Sequence, residues 1–179
     1  MKQRARRFAE AAHRGQKRKN TDAPYITHPI RVAERLEEHG FQEELICAGY
    51  LHDVAEDTDY NLEDIRMEFG ERIASLVEAH TEDKSKTWKE RKQATVNHLK
   101  HAEKEVKYLI VADKLDNLLS LKQDIEEHGE RVWKNFNAGY EDQKWYHQSI
   151  AKYMYHGLSK EDIPPYFYQF EETVRQVFG

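Results

Sequence analysis

One short stretch, Leu51–Thr58 (LHDVAEDT), limits what this chain can fold into more than any other. It places one histidine and three carboxylates within about two helical turns, and the residues around it are apolar or small. A helix that is apolar on most sides is buried, and buried carboxylates are costly unless a cation compensates them. We therefore expect one helix from Leu45 to Thr58 that carries a metal site into the core. A solvated acidic helix face with an incidental histidine remains the alternative on this stretch alone.

The spacing within this stretch indicates how an ion and a water molecule are shared. His52 and Asp53 are adjacent, so their side chains diverge by about 100° and grip one ion from its flank. Glu56 and Asp57 each follow a member of that pair by four residues, which places them on the same faces one turn further on. That arrangement suits a metal ion with its water held above it.

Composition restricts the class of protein. The 179 residues, 34% charged and 39% hydrophobic, predict one well-buried core, a richly ionised surface and no second full domain. No apolar run approaches a membrane span, and no apolar signal segment follows the basic N-terminus. A net charge of −5 argues against non-specific nucleic-acid binding. The single cysteine, Cys47, cannot form an internal disulfide, so we expect a cytoplasmic protein. Together, these features predict no membrane partner and no nucleic-acid partner, and they leave the oligomeric state open.

Apolar periodicity predicts helices throughout the chain. The N-terminal helix is expected to turn Phe8, Ala9, Ala11 and Ala12 inward. The predicted helices run from Gln3 to Arg14, from Pro29 to near Gly40, from Leu45 to Thr58, from Glu63 to Phe69 with Asn61 as cap, from about Ile73 to His80, from Lys86 to His101 and from Tyr166 to Phe178. The run 106–111 resembles a buried strand in composition, but it continues unbroken into 112–119, so we interpret it as helix.

Four residues from separate parts of the sequence form a candidate ligand set: His28, His52, Asp53 and Asp113. Two imidazoles and two carboxylates suit Mn²⁺, Fe²⁺, Zn²⁺ or Mg²⁺. The lone cysteine excludes a cysteine-rich zinc site, and the sequence has neither a Gly-rich phosphate loop nor a serine nucleophile motif. A bound metal is therefore the only evident source of catalytic power.

Five sequence blocks resemble the HD superfamily of metal-dependent phosphohydrolases. The closer resemblance is to the (p)ppGpp hydrolase domain of the RelA/SpoT family, in its small stand-alone form. The blocks, in family order, are 12–19 (AHRGQKRK), 24–30 (PYITHPI), 51–58 (LHDVAEDT), 69–70 (FG) and 112–117 (ADKLDN). The resemblance implies an all-α, single-domain HD-type helical bundle over residues 1–179, with the motifs in a core at about 10–120 and further helices at about 130–179.

The resemblance also implies a role for each residue at a motif position. The metal ligands are His28, His52, Asp53 and Asp113. The catalytic pair that handles water is Glu56 and Asp57, and the substrate-binding residues are Arg18, Lys19 and Asn117. Lys92 and Lys114 are weaker candidates for phosphate contacts, since most lysines on helices solvate a face.

The chain departs from the family pattern at three places. The loop 16–24 is one residue longer than in the long bifunctional enzymes. Ile110 replaces the usual lysine three residues before the last aspartate, and His80 stands where a small apolar residue is common. All three departures leave the ligand set intact.

The activity that the resemblance implies is metal-dependent hydrolysis of the 3′-pyrophosphate of (p)ppGpp, which yields GDP or GTP and pyrophosphate. The nucleotide is then the small-molecule partner, and Mn²⁺ is the preferred divalent metal. The chain ends before the synthetase and regulatory domains of the long enzymes, so we expect hydrolysis only. Two alternatives stay open: an HD phosphohydrolase acting on another nucleotide or NADPH, and a non-catalytic metal- or nucleotide-binding helical module. The latter has no need of Glu56 and Asp57.

Overall fold

The protein folds into α-helices, short 3₁₀ helices and loops. A computed structural model describes residues 1–19, 21–136 and 138–179, so Asn20 of the predicted loop lies outside the described residues. Within these ranges no β-strand forms, apart from an isolated bridge between Lys17 and Pro24. The α-helices are α1 (Lys2–Ala12), α2 (Thr27–Glu38), α3 (Glu43–Leu51), α4 (Val54–Asp57), α5 (Leu62–Phe69), α6 (Glu71–His80), α7 (Trp88–His101), α8 (Lys104–His128), α9 (Tyr140–Tyr153) and α10 (Pro165–Phe178), and the 3₁₀ helices are Gly129–Asn135 and Lys160–Asp162. The all-α prediction is confirmed.

Helix α8 is the central element of the fold. Every residue from Val106 to Asp113 is buried, which is typical of a helix enclosed by others. Helices α2, α3, α6 and α10 pack against it. The interpretation of the run 106–111 as helix is thus confirmed. No helix in the described ranges is both long enough and apolar enough to cross a membrane.

Helix α3 delivers the histidine–aspartate pair to this core. Every residue from Leu45 to Leu51 is buried, and α3 packs against both α1 and α2. A Cβ atom at Gly49 would lie 3.0 Å from Cα of Ala33 on α2 and would force the helices apart. The missing side chain at Gly49 therefore allows α2 and α3 to approach, and this brings His28 close to His52.

The prediction of one helix from Leu45 to Thr58 is wrong at its middle. Helix α3 ends at Leu51, and the short helix α4 begins at Val54 after a turn at His52 and Asp53. The ring of His52 donates a hydrogen bond from Nδ1 to the carbonyl of Gly49, 2.7 Å away. In a continuous helix that carbonyl would accept from the backbone of Asp53, so the side chain competes with the helix ladder. The turn aims both side chains at one point.

The outer helices follow the predicted pattern with local corrections. Helix α1 ends at Ala12, before the predicted Arg14; Ala5 and Ala9 are buried, whereas Ala11, predicted to face inward, is exposed. Asn61 caps α5 as expected, and a reciprocal bond from the backbone of Asn61 to Asp64 completes the cap. Helix α7 begins at Trp88 rather than Lys86, because the Thr87 hydroxyl accepts from the N–H of Glu90.

Candidate metal centre and active site

Four side chains meet where α2, α3 and α8 come together. His28 lies in the first turn of α2, His52 and Asp53 follow α3, and Asp113 lies on α8. One ligand atom from each lies within 4.8 Å of the others. Nε2 of His28 is 2.8 Å from Oδ1 of Asp113, and Nε2 of His52 is 3.0 Å from Oδ2 of Asp53. The structure thus brings together the four side chains that the sequence singled out as ligands. We call this group of four side chains the metal junction.

Hydrogen bonds on the outer side of both imidazoles turn their Nε2 atoms inward. Nδ1 of His28 donates to Oδ2 of Asp116 at 2.7 Å, just as Nδ1 of His52 donates to the Gly49 carbonyl. When such a ring is neutral, its proton lies on Nδ1 and the lone pair of Nε2 is available to a metal ion. Nε2 of His52 is buried and makes no hydrogen bond of good geometry within the described ranges, although Oδ2 of Asp53 lies 3.0 Å away and Oδ1 of Asp113 lies 3.3 Å away. A ring nitrogen held in this way is suited to metal ligation.

The charges of this junction favour a cation at its centre. Burial lowers the pKa of His52, but the carboxylates of Asp53 and Asp113 outweigh burial and hold that pKa well above its ordinary value. Burial acts to raise the pKa of both carboxyl groups, yet His52 beside Asp53, and Lys114 with His52 beside Asp113, keep both pKa values below the ordinary range. The two carboxylates thus make the centre of the junction electronegative, and a bound cation would offset their charge. The donor set, its burial and its charge fit a divalent metal ion.

The two acidic residues expected to handle water lie beside the junction. Asp53, Glu56 and Asp57 offer carboxylate oxygens within 4.8 Å of one another. Oε1 of Glu56 accepts from the backbone N–H of Glu82 at 2.6 Å, and Oδ1 of Asp57 accepts from Nζ of Lys84 at 2.7 Å. Burial raises the pKa of Glu56; the N–H of Glu82 opposes this and the charge of Asp53 adds to it. A carboxyl group with a raised pKa is suited to accept and return a proton.

Neighbouring polar side chains hold this acidic region in place. The Tyr25 hydroxyl donates to Oδ2 of Asp53 at 2.5 Å. Nε2 of Gln16 donates to the carbonyl of Asp57 at 2.8 Å, and Oε1 of Gln16 lies 2.9 Å from Nδ1 of the buried His13. The block at residues 12–19 therefore supports the turn that carries Glu56 and Asp57.

A group of buried charges lies on the other side of Asp113. Nζ of Lys114 is 3.1 Å from Oδ2 of Asp113, and Nζ of Lys92 is 2.6 Å from Oε1 of Glu82. Burial lowers the pKa of Lys114, but Asp113 outweighs burial and raises it well above the ordinary value. Burial and the nearby Lys114 lower the pKa of Lys92. Both lysines therefore bind protein carboxylates rather than solvate a helix face.

One cavity of the described structure is separate from the metal junction. It lies between α6 and α7, has a volume of about 880 Å³, and is bordered by His80, Glu82 and Lys114 among others. None of the four predicted ligands lines it. We therefore assign the chemistry to the metal junction, where the candidate ligand atoms converge, and not to the cavity between α6 and α7.

The predicted substrate-binding residues separate into two groups. The Arg18 guanidinium lies 3.3 Å from Oδ1 of Asn117 and 3.3 Å from Oγ of Ser120, so Arg18 and Asn117 come together. Nδ2 of Asn117 also donates to Oδ1 of Asp113 at 3.3 Å, which joins this pair to the metal junction. Lys19 is exposed and lies over the Phe136 ring, 4.9 Å from its centroid, so its contact is with a different element.

Sequence reasoning missed three residues that contact the ligands: Tyr25, His80 and Asp116. Asp116 follows Asp113 by three residues and so shares its helix face, which was a usable signal. Tyr25 precedes His28 by three residues within a matched block, and His80 was conspicuous as a departure from the family. Gln16 and Lys84 were also missed, because their partners lie 41 and 27 residues away and no local pattern reports such contacts.

Comparisons with known proteins agree with this geometry. A family model described as HD domain matches residues 5–142. The GTP pyrophosphokinase of Streptomyces coelicolor is 42% identical over 124 residues, which are 67% of this chain and 14% of that protein. The guanosine-3′,5′-bis(diphosphate) 3′-pyrophosphohydrolase MESH1 of Danio rerio is 40% identical over 119 residues, which are 65% of this chain and 66% of that protein.

A solved structure resembles the whole fold. It is a metazoan ortholog of SpoT that hydrolyses ppGpp and plays a role in starvation responses; it has a TM-score of 0.75 and 28% identity, over 99% of this chain and 93% of that one. The chain spans a small part of the Streptomyces protein and about two thirds of the Danio protein. Since the HD match covers most of the sequence and includes all four converging ligands, the predicted family is confirmed. The chain belongs to the HD domain family.

Proposed function

We propose that this protein is a metal-dependent phosphohydrolase that removes the 3′-pyrophosphate from (p)ppGpp and releases GDP or GTP with pyrophosphate. The name of the Danio relative and the activity of the SpoT ortholog both support this substrate. The chain aligns with 93% of the ortholog, so the likeness extends beyond the motifs.

One observation carries the proposal: the four candidate ligands converge beside two further carboxylates, Glu56 and Asp57, whose oxygens lie within 4.8 Å of an oxygen of Asp53. The group of Asp53, Glu56 and Asp57 shares Asp53 with the junction. A protein that only binds a metal or a nucleotide has no need of this second group. The arrangement therefore favours hydrolysis over binding alone.

We assign a role to each part of the site. His28, His52, Asp53 and Asp113 hold the divalent ion. Their two imidazoles and two carboxylates suit Mn²⁺, Fe²⁺, Zn²⁺ or Mg²⁺, and we propose Mn²⁺ because the family resemblance implies it. When bound, the ion supplies Lewis-acid chemistry that polarises a phosphoryl group and makes water more acidic. Glu56 and Asp57 orient that water and accept its proton.

The substrate phosphates need cations held in a partly dry site. Arg18 offers a guanidinium whose side chain is 14% exposed and is aligned by Asn117. Such a fork can bind phosphate oxygens with two hydrogen bonds. Lys19 offers a more exposed charge at the rim, and we place it with Arg18 as a substrate-binding residue. We further propose that residues 1–179 work as one domain.

A product assay separates this proposal from its alternatives. The purified protein with Mn²⁺ is incubated with ppGpp, pppGpp, GTP or NADPH, and pyrophosphate, phosphate and nucleotide products are separated by chromatography. We expect pyrophosphate with GDP from ppGpp and with GTP from pppGpp. Release of inorganic phosphate from NADPH, with ppGpp left intact, would show that the site acts on another substrate. If none of the nucleotides reacts, the protein is a binding module rather than a hydrolase.

A matched pair of variants links the products to the junction. Asp53→Asn removes a ligand charge and should abolish both metal content and turnover, whereas Asp59→Asn changes an exposed aspartate nearby and should alter neither. Metal content is read by elemental analysis of the purified protein. Full metal content in the Asp53→Asn protein would refute the ligand assignment.

A further inference from the structure

His80 is a largely enclosed histidine with no role in the proposed reaction. It is the last residue of α6, and its side chain is 7% exposed. Its Nε2 lies 2.9 Å from Oδ2 of Asp113, and its ring meets the His52 ring edge-on, with centroids 5.0 Å apart. One side chain thus contacts two of the four candidate ligands.

The two oxygens of Asp113 face different surroundings. Oδ1 lies toward the junction, 2.8 Å from Nε2 of His28 and 3.3 Å from Nε2 of His52. Oδ2 lies on the opposite side, 2.9 Å from Nε2 of His80 and 3.1 Å from Nζ of Lys114. The protein therefore holds Oδ2 with two donors, while Oδ1, which also accepts from Nδ2 of Asn117 at 3.3 Å, faces the junction.

The direction of the His80 hydrogen bond follows from its partners. An ionised carboxylate only accepts, so the ring proton of His80 lies on Nε2 and is donated to Asp113. Nδ1 of His80 is buried and has no hydrogen-bond partner within the described ranges, so that atom needs no proton. A neutral imidazole satisfies both conditions.

From these contacts we propose that His80 is a positioning residue that fixes the Asp113 carboxylate, and the adjacent His52 ring, in the orientation that binds the metal ion. The inference rests on the proposed metal site but not on the identity of the substrate. Hydrogen bonds behind a metal ligand fix its orientation and raise affinity, and losing one costs about 10- to 100-fold in metal affinity.

Filling space is the competing explanation, and three substitutions separate it from hydrogen bonding. His80→Leu keeps an apolar side chain of similar bulk but removes the donor. His80→Gln keeps an N–H at about the place of Nε2. His98→Gln makes the same chemical change at an exposed histidine of α7 and serves as the matched control.

The test is Mn²⁺ affinity, measured by isothermal titration calorimetry on metal-stripped protein, with urea unfolding in EDTA to verify the fold. We expect His80→Leu to bind Mn²⁺ about 10- to 100-fold more weakly, while His80→Gln retains most of the affinity and His98→Gln is unchanged. Unchanged affinity in His80→Leu, or an equal loss in His80→Gln and His80→Leu, would overturn the inference. If the unsubstituted protein binds no Mn²⁺, Zn²⁺ or Fe²⁺ at all, the proposed metal site itself fails, and the inference falls with it.

Discussion

His28 and Asp116 form a buried hydrogen bond between α2 and α8: Nδ1 of His28 donates to Oδ2 of Asp116 at 2.7 Å, across 88 positions of sequence. Arg31, one turn after His28, donates to both oxygens of the same carboxylate at 2.7 and 3.1 Å. Asp116 therefore orients the His28 ring and is itself oriented by Arg31. The carboxylate–histidine pair is a common support for a metal-binding imidazole.

The Asp116→Asn variant tests this support. An amide keeps the shape but loses the charge that holds the ring and Arg31, so metal affinity should fall by about 10- to 100-fold. The measurement is a Mn²⁺ titration at pH 7.5, with Asp142→Asn, an exposed aspartate of α9, as the control. Equal affinity in both variants would show that His28 is oriented without Asp116.

Glu56→Gln and Asp57→Asn separate chemistry from metal binding. Both substitutions keep the side-chain size, so the metal ion should stay bound while turnover falls by about 10²- to 10⁴-fold. Single-turnover rates, elemental analysis and ppGpp binding are measured on each variant. If either variant loses its metal, that residue is a ligand or a structural support and not a catalytic residue. This result is physically possible because the carboxylates of Glu56 and Asp57 lie close to that of Asp53.

The basic loop allows a three-way comparison of neighbouring cations. Arg18 points to Asn117, whereas Lys17 lies 3.5 Å from Asp22 with a side chain that is 64% exposed. Arg18→Ala should raise KM for ppGpp. It should also lower kcat if the contact between the Arg18 guanidinium and the substrate phosphates tightens in the transition state. Lys19→Ala should mainly raise KM, and Lys17→Ala should change neither parameter. A loss in Lys17→Ala as large as that in Arg18→Ala would reassign the phosphate contact.

His147 provides a pH prediction away from the metal junction. Burial, opposed by the carbonyl of Gln143, lowers the pKa of this histidine to about 4. The unfolded chain, with a histidine pKa of about 6.5, then binds the proton that the folded protein excludes, so this residue costs stability as pH falls from about 6.5 to 4. The largest effect, near pH 4, is about 3 kcal/mol.

The variant His147→Phe keeps the stacking on Phe170 and Phe178 and removes the titrating group. The free energy of unfolding, from urea titrations on metal-free protein at pH 4.5, 5.5 and 7, should therefore decrease less on acidification than in the unsubstituted protein. His156→Phe, an exposed histidine after α9, is the control. Parallel pH curves for the unsubstituted protein and His147→Phe would contradict the prediction.

The sequence predicted the helices better than the turns that connect them. Periodicity and motif order predicted the helical class, the helical run 106–119 within α8 and the four candidate ligands that the structure brings together, because these depend on local patterns and matched blocks. The break between α3 and α4 was not predicted, since it depends on the His52 ring bonding to Gly49, and side-chain competition of that kind leaves no periodic signal. Helix ends shifted by one or two residues for similar reasons.

The supporting contacts of the site depend on tertiary packing. Lys84 reaches Asp57 from a loop 27 residues away, and Glu82 presents its N–H to Glu56 from the same loop. Tyr25 reaches Asp53 across 28 residues. None of these pairs is fixed by spacing along one helix, so they appear only when the helices are packed. Lys92 and Lys114 looked like surface lysines for the same reason.

The spread of the ligands along the chain has a consequence for how the protein matures. In the proposed metal site, His28, His52 and Asp113 come from distant parts of the sequence, so the ligands can act together only after the chain between positions 28 and 113 has folded. An ion held there selects the fully assembled form and adds its binding free energy to the unfolding free energy. A nascent chain shorter than 113 residues would lack the fourth proposed ligand, so we expect the complete site to bind a metal ion only after Asp113 has been added.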